Sequence, residues 1–156
     1  MAKVDRNSSG FSWKWGKDDI SHQHNPTLLS NGNVLLLDNG PHRRGLSSSR
    51  VVEVDPATGQ IAWAYHGDPL VSFFTHFTGG AERLANGNTL ITEGAPGRIF
   101  EVTSGGEVVW EFLNPYSISG AQGMSSGVFR AHRYGPDDPA LAGRDLDPAR
   151  HRELNL

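Results

Sequence analysis

The stretch Leu28-Leu-Ser-Asn-Gly-Asn-Val-Leu-Leu-Leu-Asp-Asn-Gly40 decides the fold, because it returns as Arg83-Leu-Ala-Asn-Gly-Asn-Thr-Leu-Ile-Thr-Glu-Gly-Ala95 at an offset of 55 residues. A second pair, Ser49-Arg-Val-Val-Glu-Val-Asp55 and Gly97-Arg-Ile-Phe-Glu-Val-Thr103, follows at an offset of 48. Both copies then pass a glycine turn, Thr58-Gly59 or Gly105-Gly106, into a strand built around a tryptophan. These strands are Gln60-Ile-Ala-Trp-Ala-Tyr-His66 and Glu107-Val-Val-Trp-Glu-Phe-Leu113. A partial third copy opens the chain with Val4-Asp5 and then Gly10-Phe-Ser-Trp-Lys-Trp15. Self-similarity at a period of about 50 residues marks a repeat architecture.

Each copy reads as four short strands, at 26–30, 33–38, 50–55 and 60–66, then at 80–85, 88–93, 97–103 and 107–113. Asn31-Gly32-Asn33 and Asn86-Gly87-Asn88 are hairpin signals, since Asn-Gly readily supplies the positive φ angles of a tight turn. Asp55-Pro-Ala-Thr-Gly59 reads as the turn before the last strand. A four-stranded antiparallel unit repeated in this way predicts an all-β protein made of β-propeller blades. An ordinary antiparallel sandwich is the alternative, but it does not require the same strand order twice. One more strand is expected at 127–134, after a surface loop at 117–126. From Gly135 the apolar residues thin out, which predicts a loop, a short helix or a disordered end. The expected division is a partial propeller over 1–134 and a polar tail over 135–156.

Eleven strands fall short of a ring, because propellers close with 4–8 blades. Either a missing half or further copies must complete it. Two copies would supply 22 strands against the 24 of a six-bladed ring, so a homo-oligomer, most simply a dimer, is expected.

Composition narrows the chemistry. The chain has 156 residues with 14 Lys+Arg and 17 Asp+Glu, a net charge of −3. With no basic block, nucleic-acid binding through phosphate contacts is not expected. The 19 Gly and 9 Pro suit short strands and turns rather than a helix bundle. The absence of Cys excludes disulfides, thiolate metal sites and a cysteine nucleophile. No apolar run approaches the roughly 20 residues of a membrane span, so no membrane partner is expected. The first residues lack a signal-peptide pattern, and the chain as it stands reads as cytoplasmic.

Strands of a blade alternate in direction, which brings several polar residues to one end of the fold. His22 and His24 precede the first strand of a unit, His42 and Arg43 sit between the second and third, Arg50 and Arg98 open the third strands, His66 ends a fourth, and His76 precedes the next first strand. Arg forks bind sulfate, phosphate or carboxylate, and His serves as acid, base or nucleophile. His22 and His24 alternate on an extended segment, an arrangement that also suits two ligands of a metal, with His76 as a third. The same residues also admit structural readings: strand caps for the histidines, salt bridges between blades for Arg50 and Arg98, and solvated loop positions for His42 and Arg43. Trp13, Trp15, Trp63 and Trp110 read as packing residues. Arg130 and His132 share one face of the last expected strand.

The run from Ser21 through Asp38-Asn-Gly-Pro-His-Arg43 resembles bacterial arylsulfotransferase-type propellers, as do 83–94, 100–116 and Val128-Phe-Arg-Ala-His-Arg-Tyr134. The resemblance covers roughly residues 2–138 and matches the C-terminal half of such proteins. It implies a six-bladed propeller that moves a sulfuryl group from a phenolic sulfate ester to a phenol through a sulfohistidine, without a nucleotide sulfate donor; no cofactor and no metal are expected. It also implies a periplasmic or secreted setting. His24 and Arg43 match the family pattern directly. His24 and His76 are the candidate catalytic residues; His22, Arg43, Arg50, Arg98 and His132 are the candidates for binding an anionic or aryl sulfate ligand. A non-catalytic propeller module that assembles or binds a ligand is the alternative.

Overall fold

The computed structural model describes residues 1–120, 123–147 and 149–150. It is all-β, with twelve strands among the described residues: β1 Ala2–Val4, β2 Phe11–Lys14, β3 His24–Leu28, β4 Val34–Asp38, β5 Arg50–Val54, β6 Ile61–His66, β7 Gly80–Arg83, β8 Thr89–Glu93, β9 Arg98–Val102, β10 Val108–Leu113, β11 Ile118–Gly120 and β12 Gly123–Ser125. Two four-stranded antiparallel meanders, β3-β4-β5-β6 and β7-β8-β9-β10, match the two units read from the sequence. The partial copy at the start is the hairpin β1-β2.

Packing follows from the alternation of side chains along each strand. Leu35, Leu36 and Leu37 of β4 are all fully buried, because this strand has a protein layer on both faces. Leu35, Leu37, Val51 and Tyr65 join Phe73, Ala81, Ile91, Phe100 and Val102 in the core between the two units. Leu36, Val52 and Val54 face the other way, onto Trp13, Trp15 and Ile20. The layers therefore stack in the order hairpin, first unit, second unit. β7 packs against β3 and β4, so the inner edges of the units adjoin.

Each unit repeats one internal clasp. The Glu53 carboxylate accepts from Asn31 Nδ2 at 3.0 Å, Asn33 Nδ2 at 2.7 Å and Arg83 Nη2 at 2.7 Å. Glu101 accepts from Asn86 Nδ2 at 3.2 Å and Asn88 Nδ2 at 2.6 Å, and pairs with Arg133. Arg83 lies over the Trp63 ring and Arg133 over the Trp110 ring, both at 4.7 Å. Arg133 thus stands to the second unit as Arg83 stands to the first.

That correspondence explains a departure from the sequence reading. The strand expected at 127–134 joins no ladder. Its segment nevertheless runs where the inner strand of a third unit belongs, held by Val128 N–H to Gly94 O at 2.9 Å, Gly79 N–H to Phe129 O at 3.2 Å and Ala131 N–H to Thr92 Oγ1 at 3.0 Å. No second strand lies beside it among the described residues, so no ladder forms. The surface loop expected at 117–126 is instead the ribbon β11-β12, with residues 121 and 122 outside the described residues. In the tail, Pro139–Leu141 forms a short 3₁₀ turn capped by Asp138, whose Oδ1 accepts from Ala140 N–H at 2.9 Å. Residues 148 and 151–156 lie outside the described residues.

Candidate functional site

The end of β4 organises the site. Asp38 is fully buried and accepts from three directions: Ser21 N–H at 2.8 Å, Arg50 Nε at 2.9 Å and Arg43 Nη1. Arg43 also donates through Nη2 to Ser48 O at 2.6 Å. Arg50 donates through Nη2 to Asp19 O at 2.8 Å. Two guanidinium groups thus share one carboxylate, so Asp38 fixes both forks without cancelling their combined charge. Gly40 makes the turn between them possible. Its φ is +76°, and a Cβ there would come within 2.2 Å of Ser48 O.

Arg43, Arg44 and Arg50 line an open cavity of about 740 Å³ together with His42, Ser21 and the carboxylates Asp18 and Asp19. His22 stands beside His42, their rings edge to face at 4.7 Å. The backbone at His22 has φ +55°, an uncommon conformation for a residue with a Cβ. On the adjoining hollow of about 450 Å³, Arg43, Arg44 and Arg50 meet His66, which pairs with Arg50 across β5 and β6.

Asn39, the next residue, turns to the opposite side and is also fully buried. Its Nδ2 donates to Thr75 O at 2.7 Å and Thr78 O at 2.9 Å, which fixes Oδ1 as the acceptor end. That Oδ1 lies 2.6 Å from His24 Nδ1, and His22 O lies 3.0 Å from the same nitrogen. Both neighbours accept, so Nδ1 is the donor of the ring, and Nε2 is the nitrogen turned away from both contacts. Asp38 and Asn39 thereby divide the work between the two faces of the unit: one holds two arginines, the other orients a histidine.

The remaining candidates stand elsewhere. His76 is exposed in the loop before β7, its ring against Phe77 at 4.5 Å and Phe74 at 6.3 Å. Arg98 is taken up by Glu111 and by Glu93 at 3.3 Å, and lies over Phe100. Burial works against its charge, but the Glu111 and Glu93 carboxylates outweigh it and raise its pKa. Glu93 occupies the place of Asp38 in its unit. One arginine between two carboxylates there contrasts with two arginines on one carboxylate in the first unit. His132 lies against Glu82 at 2.7 Å in a groove of about 290 Å³ beside the inner strands, with Arg130, Asn25 and Thr27. Among the described residues no group of three or more His, Asp or Glu is placed to hold a metal ion, and His22, His24 and His76 do not converge on one.

Asp38 and Asn39 are the residues that the reading for chemistry passed over. Their signal was present: an Asp-Asn pair ending a strand whose other residues are all apolar, where burial requires a partner for each polar group.

No curated protein and no solved structure gives a significant match to the chain. The family model described as arylsulfotransferase (ASST) matches residues 3–115, which takes in the hairpin, both four-stranded units and the whole Asp38–Asn39 centre. With most of its length matched, the chain belongs to the arylsulfotransferase family.

Proposed function

We propose that the site accepts the sulfuryl group of an aryl sulfate ester on His24 and passes it to a phenol. The observation that carries this reading is the fixing of His24 Nδ1 as the donor, which leaves Nε2 as the nucleophile. In the first step the Nε2 lone pair attacks sulfur, the bond from sulfur to the aryl oxygen breaks, and the phenolate leaves and takes up a proton. The Nδ1–H to Asn39 contact supports the positive charge that develops on the ring. In the second step the acceptor's phenolic oxygen attacks sulfur, the N–S bond breaks, and the acceptor's proton is released.

p-Nitrophenyl sulfate with a second phenol as acceptor tests the reading. His24→Ala is expected to lower turnover by about three orders of magnitude or more, as loss of a nucleophile does. Asn39→Ala, which unties the ring, is expected to cost on the order of 10²-fold. Brief acid-free quenching and intact-mass analysis should show one added SO₃ on the wild type and none on His24→Ala. Unchanged turnover in His24→Ala, or an adduct mapped to another residue, overturns the assignment. The alternative, a propeller module that binds a sulfate-like anion without turning it over, predicts binding that depends on Arg43 and Arg50 and no turnover.

A further inference from the structure

The layers are latched by one repeated device, and its last copy has nothing to close on among the described residues. Trp15, next to the end of β2, donates its indole N–H to Gly59 O in the outer turn of the first unit at 2.8 Å. Trp63 of β6 donates to Ser104 O in the outer turn of the second unit at 2.8 Å. Trp110 of β10 is the corresponding residue of the second unit: it pairs with Glu101 as Trp63 pairs with Glu53. Its indole N–H meets no acceptor among the described residues, and the residue is 42% exposed. The next position on that face shows the same contrast, since Tyr65 is 9% exposed between the units while Phe112 is 43% exposed and stacks on Trp110 at 6.5 Å. A paired row of aromatics therefore lies open where the repeat places a neighbouring layer.

The other end of the stack carries the complementary part. The turn of the β1-β2 hairpin is built like the turn that receives Trp15. Asp5 Oδ1 accepts from Asn7 N–H at 2.9 Å and Oδ2 from Ser8 Oγ at 2.8 Å. Asp55 Oδ1 accepts from Ala57 N–H at 2.8 Å and Oδ2 from Thr58 Oγ1 at 2.9 Å. Ser9, with φ +54°, stands where Gly59 has φ +72°. Among the described residues this hairpin has outer strands and no inner strand beside it. At the opposite end of the stack, residues 128–134 fill an inner-strand position with no outer strand among the described residues.

We propose that the open face of β7–β10 binds the β1-β2 hairpin of a second copy of this chain, with Trp110 donating to the Asp5–Gly10 turn of that copy. The contact is head to tail and closes after two copies if each ring holds six layers. Each copy then contributes two complete units, and each shared layer takes its inner strand from one copy and its outer hairpin from the other. The strand position between them is filled by the described residues of neither copy, so the shared layers are the least protected part of the ring. This inference stands on packing alone and is independent of the sulfuryl chemistry.

Light scattering on a sizing column tests it with the 156-residue chain. The expected mass is twice 17.0 kDa for the wild type, falling to 17.0 kDa for Trp110→Glu. Trp110 is exposed in the single chain, so the variant should keep the wild-type far-ultraviolet circular dichroism. The chain has no cysteine, so mixing a Ser9→Cys variant with a Trp110→Cys variant should give one oxidant-dependent dimer, while neither alone gives more than traces. A folded wild-type monomer overturns the proposal. So does a dimer that survives Trp110→Glu with no cross-link between positions 9 and 110, or an oligomer of any number other than two.

Discussion

Asp38 and Glu93 occupy the same place in their units, yet they do opposite things to the arginines they hold. Asp38 has two arginines and no competing acid on them; Glu93 shares one arginine with Glu111. Removing the first carboxylate strands two partly buried cations, whose side chains are about one-fifth exposed. Asp38→Asn is therefore expected to destabilise the fold by about 2–4 kcal/mol, toward the lower side of what breaking a fully buried pair costs. Glu93→Gln should cost about 1 kcal/mol, because Glu111 still pairs with Arg98 and the amide oxygen still accepts from Phe74 N–H. Urea unfolding of the two variants measures both, and equal losses would show that the two centres are alike. The sequence placed Arg50 and Arg98 at matching positions but gave no reason to expect them to differ. That difference lies in Arg43, which stands in the loop between repeated segments, and in Glu111, where the first unit has Ala64.

At the scale of the element, the Asn-Gly-Asn turn does more than reverse the chain. Its two Asn side chains converge on a glutamate of the strand paired with the one that leaves the turn, and an arginine from the next layer completes the clasp. In Glu53 and Glu101, burial pushes the pKa up, but the Asn amides and the Arg83 or Arg133 guanidinium outweigh it and hold both carboxyls below the ordinary range. A carboxylate depressed in the folded state contributes stability that is complete above its unfolded pKa and is lost as the pH falls through the folded value. Unfolding free energy should therefore decline below about pH 4.3, the ordinary glutamate value, and the decline should be shallower in Glu101→Gln. An unchanged acid slope in that variant would exclude the clasp as its source. The strands themselves were legible, because the alternation, the Asn-Gly turns and the tryptophan all repeat. The glutamate's partners were not legible, since pairing between adjacent strands depends on register. The ribbon at β11-β12 and the unpaired course of 128–134 escaped for a related reason: whether a segment joins a ladder depends on the strand beside it, not on its own residues.

Across the whole molecule, stability is distributed between layers, and the indole latches show where. Trp63 joins the two complete units: its N–H reaches Ser104 O, Arg83 covers its ring, and it packs on the shared core. Trp15 joins only the hairpin to the first unit. In a stack where each layer touches its neighbours, the loss from breaking a contact should follow the layers it connects. Trp63→Ala is expected to cost about 2–4 kcal/mol, less than truncating a fully buried Trp, and to raise amide exchange throughout β3–β10. Trp15→Ala should cost about 1–2 kcal/mol and raise exchange in β1-β2 while leaving β7–β10 as protected as before. Hydrogen exchange with residue-level readout separates the two patterns. A uniform rise in exchange from Trp15→Ala would mean that the hairpin and both units open as one cooperative body. In that case the layers read from the sequence repeat would describe the architecture of the chain without describing how it comes apart.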